Sequence, residues 1–315
     1  MADAKQHLIL VHGRGRKPPR EELEPLWQQA LRRGIERDHP KQLAKLDTVT
    51  TSFVYYGDLL QPVLDGLGRK CDAQLDLADL QTALAELAAL DNTKQFRSQY
   101  YYRMKRRSGK SKLLANLTAP FANTLRAEDP FIGKLAPELL AYRRNQTFAT
   151  EIRERLLAVL RPALENGEDT LLLAHCMGSV VAFESLWLLS HRDPAPQHKL
   201  KVLLTVGSPL ASDAVRKGML GATRKVEERY PRNVTHWFNV AAEDDYVCHD
   251  MTVANDFEPM IANRYISRLE DFGVFNLARR YGRPNPHNAL GYLIHPRTAS
   301  LVADWLKGAT RGSAV

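Results

Sequence analysis

The stretch LLLAHCMGSVVAFESLWLL, residues 171–189, constrains the fold of this chain most strongly. A short apolar run enters a small, glycine-containing turn, and a longer apolar run follows at once. This pattern predicts a buried strand, a sharp turn and a helix. Cys176 lies in the turn, with Ala174 two residues before it and Gly178 two residues after it. Small residues at these two positions relieve the crowding of a turn that holds a reactive side chain clear of the backbone.

Strands and helices are predicted to alternate along much of the remaining chain. Apolar and β-branched runs predict strands within residues 7–15, 48–60, 169–176, 201–209 and 234–245. Apolar residues at three-and-four spacing predict helices within residues 20–37, 147–165, 178–190 and 296–308, with a basic helical piece around 211–229. Strands that alternate with helices predict an α/β fold, with a mostly parallel sheet that helices cover on both faces.

Residues 59–147 interrupt this alternation. The segment is rich in leucine and alanine near its start, basic in its middle and interrupted by prolines in its second half. It is predicted to be a helical, basic cap inserted into a core made of residues 1–58 and 148–315. A length of 315 residues agrees with one core that carries a large insertion.

The net charge of +8 comes from one part of the insertion. Residues 94–126 contain nine basic residues and no acidic one. Such a segment is typical of a solvated surface, and it also fits recognition of an anionic substrate or peripheral contact with an anionic membrane. No nucleic-acid-binding motif accompanies it, so nucleic acid is not an expected partner. Its densest cluster, in the sequence YYYRMKRR, consists of Arg103, Lys105, Arg106 and Arg107.

The cysteines and the N-terminus predict the compartment. Cys71, Cys176 and Cys248 are odd in number and far apart, which argues against a disulfide framework and for a reducing environment. The apolar run before His12 is too short for a signal-peptide core or a membrane span. We therefore expect a soluble, cytoplasmic protein. Close spacing of metal ligands is absent from the sequence, so neither a metal nor another cofactor is expected.

The turn at Cys176 predicts a nucleophile. The positive end of the following helix favours thiolate over thiol at Cys176, and the Met177 amide there can stabilise a developing oxyanion. The motif VHGRG ends the first predicted strand with a His-Gly pair, which brings a second backbone amide, that of Arg14, toward the same oxyanion. A small buried cysteine in a structural turn is the alternative interpretation of Cys176.

An acid and a histidine follow the nucleophile in the chain. The sequence FNVAAEDDYVCHD ends a later strand with Asp244 and Asp245, and NPHNALGYLIHP offers His287 and His295 before the last helix. Nucleophile, acid and histidine, each at a strand end or in the loop after it, have the chain order of one known catalytic triad. His287 is preferred because His295 directly precedes Pro296, where a histidine often caps a helix. Asp245 is preferred as the acid, and Asp244 stays open.

These motifs together resemble those of the α/β-hydrolase superfamily, and of its lipase-like esterases in particular. The resemblance rests on HCMGS at the turn, GSPL at a strand end, DDYV at the acid and the late pattern H…GYL…P. It covers residues 8–57 and 148–307. It implies an α/β-hydrolase fold in which Cys176 is the nucleophile, Asp245 the acid and His287 the base.

The sequence departs from this family at three positions. Cys176 replaces serine, Ala174 replaces the usual first glycine of the turn, and Tyr246 stands where proline is frequent. Two further residues are weaker candidates. Ser208 precedes a proline and is expected to be a turn residue, and Asp213 lies where some lipase-like enzymes carry the acid.

These features predict an acyl hydrolase, either an esterase or a thioesterase, that forms a thioester on Cys176. Its substrate is expected to be a small-molecule or lipid acyl compound held by the cap. A thiolate attacks easily, so the difficult step becomes clearance of the thioester by water that His287 activates. An acyltransferase with the same nucleophile is the alternative. A non-catalytic binding protein of this fold, and an enzyme in which Cys176 was introduced as a trap, stay open, as does the oligomeric state.

Overall fold

The computed structural model describes residues 4–66, 68, 73–97, 137–191, 198–248 and 250–308. Its six long strands are β1 (Gln6–Val11), β2 (Thr50–Val54), β3 (Asp169–His175), β4 (Leu200–Val206), β5 (Val234–Ala242) and β6 (Arg268–Val274). They form one sheet in the order β2-β1-β3-β4-β5-β6, and every pairing is parallel. A separate antiparallel pair consists of β7 (Arg279–Arg280) and β8 (Arg283–Pro284).

Helices cover both faces of the sheet. The long helices are α1 (Arg20–Asp38), α3 (Gly57–Gly66), α4 (Ala73–Ala88), α5 (Pro137–Arg144), α6 (Gln146–Glu165), α7 (Met177–His191) and α12 (Pro296–Leu306). The helices of about one turn are α2 (Leu43–Leu46), α8 (Asp213–Arg216), α9 (Val226–Arg229), α10 (Glu258–Ala262) and α11 (Ala289–Leu293). Short 3-10 turns occur at Pro40–Gln42, Thr93–Phe96 and Tyr246–Cys248.

The apolar residues of the central strands explain the two layers. Successive side chains of a strand point to opposite faces, so Ile9 packs with α6 and α7, while Leu10 packs with α1 and α12. In β3, Leu172 and Leu173 divide between the same two faces. Continuous apolar strands buried on both sides are typical of parallel sheets. The predicted α/β class, with a mostly parallel sheet between helices, is confirmed.

Three elements differ from the sequence prediction. The strand expected within residues 48–60 ends at Val54, and α3 begins at Gly57 with Asp58 in its first turn, where a negative charge stabilises a helix. The basic piece around 211–229 forms only the short α8 and α9. Strand β6 was not predicted, because it is an edge strand with several half-exposed polar residues and therefore lacks an apolar run.

The described parts of the predicted insertion are helical and lie against the core. Leu84 and Leu87 of α4 are buried in the same cluster as α1, and Leu139 of α5 is buried in the opposite cluster. The basic residues singled out in the sequence lie outside the described residues. They are Arg103, Lys105, Arg106 and Arg107. Within the described ranges, no helix has both the length and the apolar character that crossing a bilayer requires.

Candidate functional site

The candidate site lies where the order of the strands reverses direction. β2 and β3 lie on opposite sides of β1, and the ends of β1 and β3 are adjacent, with Val11 opposite Ala174. Ligands of open parallel α/β sheets bind at the carboxyl ends of the strands beside such a switch point. The loop that starts at His12 follows β1, and the turn at Cys176 follows β3. The motifs VHGRG and HCMGS therefore meet at this edge of the sheet.

Cys176 occupies a strained turn between β3 and α7. Its backbone φ is +54°, a left-handed conformation that side chains other than glycine rarely adopt. The Cys176 amide donates a hydrogen bond to the carbonyl of Val206 at 3.1 Å, which fixes the turn to β4. The residue is 1% exposed. This geometry agrees with the strand, sharp turn and helix that the sequence predicts, with the helix starting at Met177.

Two glycines allow the chain segments around Cys176 to approach closely. A Cβ atom on Gly178 would lie 2.5 Å from the carbonyl oxygen of His12, so the start of α7 contacts the backbone after β1. A Cβ atom on Gly13 would lie 2.6 Å from Cβ of Cys176. Such separations are too short for carbon atoms, and both positions therefore require glycine. The His-Gly pair and the glycine after the turn are needed for the same contact.

His287 and Asp245 meet beside this turn. Nδ1 of His287 lies 2.7 Å from Oδ2 of Asp245, which follows the end of β5. The same Asp245 oxygen accepts a hydrogen bond from the Tyr292 hydroxyl at 2.7 Å, and Oδ1 accepts one from the Val247 amide at 2.9 Å. Asp245 is therefore a buried carboxylate with several donors, and its pKa is below the usual value: burial raises it, but the charge of His287 and these hydrogen bonds outweigh burial.

The thiol and the imidazole shift each other's ionisation. Burial alone lowers the pKa of a histidine, but the charges of Asp245 and Cys176 outweigh burial and raise the pKa of His287 to about 10. Burial raises the pKa of Cys176, but His287 and Arg14 outweigh it and lower the pKa to about 7. A thiolate and an imidazolium are thus favoured together near neutral pH. Nε2 of His287 is buried and has no well-aligned hydrogen bond to a described residue in this conformation.

His12 orients the peptide between Gly13 and Arg14. The Tyr56 amide donates to Nε2 of His12 at 2.9 Å, so Nδ1 carries the proton and donates to the Gly13 carbonyl at 2.8 Å. Burial lowers the pKa of His12 to about 3, which keeps the ring neutral. The carbonyl and N–H of a trans peptide point in opposite directions. The Arg14 amide is accordingly directed toward Cys176, where it contributes to the lowered thiol pKa.

The next peptide of this loop is held at both ends. Nζ of Lys17 donates to the Arg14 carbonyl at 2.6 Å, and the Gly15 amide donates to Oε1 of Glu138 at 2.8 Å. Glu138 belongs to α5 and is fully buried. Met177, at the start of α7, has one of the four amides that a helix leaves without a partner of its own. The two predicted oxyanion donors are therefore the Arg14 amide, in the loop after β1, and the Met177 amide, at the start of α7.

A cavity of about 530 Å³ opens at this end of the sheet. His175 and His287 form part of its wall, whereas Cys176 lies beneath the surface and is nearly covered. Helices α3, α4 and α5, which belong to the predicted insertion, contribute Leu64, Asp76 and Glu138. The remaining lining residues are Arg14–Pro18, Leu23, Trp27, Ala73, Asp79, Leu80, Tyr246, Arg280, Asn285, and Asn288–Leu290.

The alternative candidates from the sequence have other positions. Nδ1 of His295 accepts a hydrogen bond from the Arg297 amide at 3.0 Å, which caps α12. Asp213 is an exposed partner of Lys217. The Ser208 hydroxyl lies 2.7 Å from that of Ser179 and accepts from the Leu210 amide, as expected for a turn residue.

Two other titratable groups, Asp244 and Cys248, lie close to Asp245. Asp244 is half-buried beside Asp245, and burial raises its pKa to about 6. Cys248 is buried against the Tyr292 hydroxyl at 3.5 Å, and burial raises its pKa well above the usual value. Cys71 and His249 lie outside the described residues. Among the residues that the structure describes, no group of three or more histidine, cysteine or acidic side chains is arranged to hold a metal ion.

Four residues of the site were missed in the sequence. His175 and Tyr292 lie inside the motifs HCMGS and GYL. Nε2 of His175 donates to the His287 carbonyl at 3.1 Å, and Tyr292 binds the acid, so both support the histidine loop. Lys17 follows VHGRG closely and gave a weak signal. Glu138 had none, because it lies in the insertion, far in sequence from the loop that it contacts.

A scan against protein-family models, a search of curated proteins and a search of solved structures each find no match to this chain.

Proposed function

We propose that this protein is an acyl hydrolase, an esterase or thioesterase, that uses Cys176 as its nucleophile, His287 as its general base and Asp245 as the acid that orients the histidine. The main support for this proposal is the arrangement of these three residues. The hydrogen-bonded His287 and Asp245 lie beside a cysteine held at positive φ, at the switch point of a parallel sheet. A purely structural cysteine has no need for a strained turn or for a buried partner that lowers its pKa.

The proposal includes an α/β-hydrolase fold. The order of the strands in the sheet supports this fold. So do the positions of the three residues: Cys176 follows the third strand of the chain, Asp245 follows the fifth, and His287 precedes the last two helices. It also includes a cap formed by residues 59–147. The support for a cap is that Leu64, Asp76 and Glu138 line the cavity over the strand ends.

Acylation begins with attack of the Cys176 thiolate on the carbonyl carbon of an ester or thioester. The carbonyl electrons move to oxygen, and the Arg14 and Met177 amides stabilise the oxyanion that forms. As the intermediate collapses, the bond to the leaving group breaks. The His287 imidazolium gives its proton to the departing oxygen or sulfur. The products are a neutral imidazole, a released alcohol or thiol, and a thioester on Cys176.

Deacylation uses the same groups in reverse. Neutral His287 takes a proton from water, and the hydroxide attacks the thioester carbonyl. The second oxyanion is stabilised by the same two amides, and its collapse expels the Cys176 thiolate and releases the carboxylic acid. Asp245 keeps Nδ1 of His287 protonated, so that Nε2 is the nitrogen that exchanges protons.

The proposed partners are a small-molecule or lipid acyl substrate and, through the basic residues of 94–126, an anionic membrane surface. A cytoplasmic location remains part of the proposal. Simultaneous neutralisation of Arg103, Lys105, Arg106 and Arg107 tests the membrane contact. We expect loss of binding to anionic vesicles with little change in activity on neutral short esters.

A panel of p-nitrophenyl esters and acyl thioesters, assayed with the intact chain and the Cys176→Ala variant, tests the proposal. We expect turnover of at least one ester or thioester and a loss of about 10⁴-fold or more in Cys176→Ala. Cys248→Ala is the matched cysteine control: Cys248 does not line the cavity, although it contacts Tyr292, so this variant should keep far more activity than Cys176→Ala. Equal turnover by the two alanine variants would rule out the proposed nucleophile.

The Cys176→Ser variant separates hydrolysis from acyl transfer. The histidine, the acid and both amides are those that a serine would use, so a hydrolase should remain active on esters. A folded but wholly inactive serine variant, with acyl-enzyme accumulating on the native cysteine until an external thiol or alcohol is added, would favour an acyltransferase.

A further inference from the structure

Four lysine and arginine side chains line the cavity beside Cys176, and two of them pair with carboxylates. Nη2 of Arg280 lies 2.7 Å from Oδ1 of Asp76, and Arg16 forms an ion pair with Asp65. These two arginines have carboxylate partners on α4 and α3, which fix them at the cavity wall. Because the ion pairs with Asp76 and Asp65 neutralise these two arginines, they attract an anionic ligand only weakly.

Arg14 and Lys17 differ from them. Neither forms an ion pair with a carboxylate anywhere in the described part of the chain. Nη2 of Arg14 donates to the Tyr246 hydroxyl at 2.8 Å, while its Nε is buried without a partner. Lys17 uses one of its three N–H donors on the Arg14 carbonyl at 2.6 Å. Both side chains thus keep charge and donors available at the cavity.

The same two cations act directly on the nucleophile. The negative charge of Cys176 raises the pKa of Arg14 and opposes the burial that lowers the pKa of Lys17 to about 8. The negative charge of Glu138 also acts to raise the pKa of Arg14 and of Lys17. In the thioester the sulfur carries no charge, so acylation removes the thiolate that partly balanced Arg14 and Lys17.

We infer that Arg14 and Lys17 form an anion-binding subsite next to Cys176, and that the substrate carries a carboxylate or phosphate group on the acyl chain or on the leaving group. This inference rests on the proposed acyl hydrolase and specifies its substrate class. A guanidinium presents a planar set of donors that matches a carboxylate or a phosphate, and an ammonium adds a point charge. A buried Nε without a partner gains a hydrogen bond when such a group enters.

A competing role is stabilisation of the thiolate and the oxyanion alone. The two roles make different predictions for matched substrates. If the cations bind a substrate anion, their removal lowers activity on anionic substrates far more than on neutral ones. If they act only on the reacting atoms, both substrates lose activity equally.

The experiment compares a succinyl thioester with its neutral monomethyl ester, and a substrate with a phosphorylated leaving group with its dephosphorylated form. For each pair, kcat/KM on the anionic member is divided by kcat/KM on the neutral member. This ratio is measured for the wild-type chain, Arg14→Gln and Lys17→Met. We expect the ratio for at least one pair to fall by about 10- to 100-fold, which is the effect of losing a hydrogen bond to a charged group. The pair that responds identifies carboxylate or phosphate. Arg16→Gln is the control and should keep the wild-type ratio, because Arg16 is neutralised by Asp65.

Conservative variants guard against a failure to fold. Lys17→Arg and Arg14→Lys keep the positive charge and should retain most of the preference for the anionic member. A ratio near one in the wild-type chain for both pairs would overturn the inference. Parallel losses on anionic and neutral substrates in the Gln and Met variants would overturn it as well.

A second readout does not depend on turnover. Succinate or inorganic phosphate at millimolar concentration should slow the alkylation of Cys176 by iodoacetamide, and this protection should disappear in Arg14→Gln and Lys17→Met. Protection without turnover of any ester would contradict the proposed function while supporting the subsite. Turnover without protection and without anion preference would contradict the subsite and leave the proposed function standing.

Discussion

His287 and His295 lie eight residues apart in the chain, and they differ in burial, hydrogen-bond partner and pKa. Each uses Nδ1 for a hydrogen bond, and each has a buried Nε2 that lacks a hydrogen-bond partner among the described residues. Nδ1 of His287 faces the carboxylate of Asp245, whereas Nδ1 of His295 accepts a hydrogen bond from the Arg297 amide. The pKa of His287 is raised to about 10, and burial lowers that of His295 to about 3.

Burial alone keeps a histidine neutral, as at His295. His12 is a second example, because burial lowers its pKa to about 3 as well. Only a compensating negative charge keeps a buried imidazole protonated. His287 has such a charge from Asp245 and Cys176 and lines the cavity, so it can exchange protons with a substrate. His295 is not held protonated by a neighbouring negative charge and does not line the cavity, and it caps α12 instead.

The largest expected difference is in turnover. His287→Ala removes the proposed general base, and we expect kcat to fall by about 10²- to 10⁴-fold. His295→Ala removes a helix cap, and we expect kcat within a few-fold of wild type with a loss of about 1 kcal/mol in unfolding free energy. Steady-state kinetics and denaturant unfolding of the two variants measure both effects. A dead His295→Ala enzyme beside an active His287→Ala enzyme would reverse the assignment.

The next effect concerns the reactivity of the thiol. The alkylation rate of Cys176 by iodoacetamide should rise through pH 7 in the wild-type chain, because the thiolate forms as the pH passes its lowered pKa. In His287→Gln the inflection should move toward the ordinary value of 9.0, which lowers the rate at pH 7 by roughly 50-fold. His295→Gln should leave the inflection unchanged. Preferential labelling of Cys71 or Cys248 at limiting reagent would contradict the assignment of the reactive thiol.

The smallest effect is on stability in mild acid. His295 stays neutral in the folded chain down to about pH 3, while the unfolded chain binds a proton near the ordinary value of 6.5. Stability contributed by neutral His295 is therefore present above pH 6.5 and is lost as the pH falls toward 3. His295→Asn, which keeps a capping side chain, should reduce the slope of unfolding free energy between pH 6 and 4 by about 1.4 kcal/mol per pH unit.

A matched control for this slope is His198→Asn, since His198 is exposed. Both variants lose one histidine, so a shared change in slope would mean that burial of His295 is not its cause. An unchanged slope in His295→Asn would show that its folded and unfolded states bind protons alike.

The central strands and the flanking helices were predictable because each is a local pattern. The apolar run at Leu171–Leu173 predicts a buried strand, and the spacing of Leu23, Trp27 and Leu31 predicts a helix face. Edge strand β6 has no such apolar run, because most of its residues are only half-buried and several are polar. Its pairing with β5 depends on the rest of the sheet, which a local pattern does not contain.

The three members of the proposed triad could be proposed from the sequence because each lies in a short motif near the end of a strand. Cys176 and Asp245 follow β3 and β5 of the parallel sheet, and the loop after β8 brings His287 to Asp245. Glu138 and Lys17 were not predictable in the same way. Their contacts with the loop after β1 arise from tertiary packing of α5 and from the path of one loop, and no spacing in the sequence encodes either.

Intact-protein mass spectrometry during turnover of a good ester detects the acyl group that Cys176 should carry. We expect the chain to gain the mass of the acyl group, hydroxylamine to remove it, as expected for a thioester, and peptide mapping to place it on Cys176. The same adduct should accumulate in His287→Ala, where deacylation is impaired, and should be absent in Cys176→Ala. Turnover without any adduct on Cys176, or with an adduct on another residue, would contradict the account.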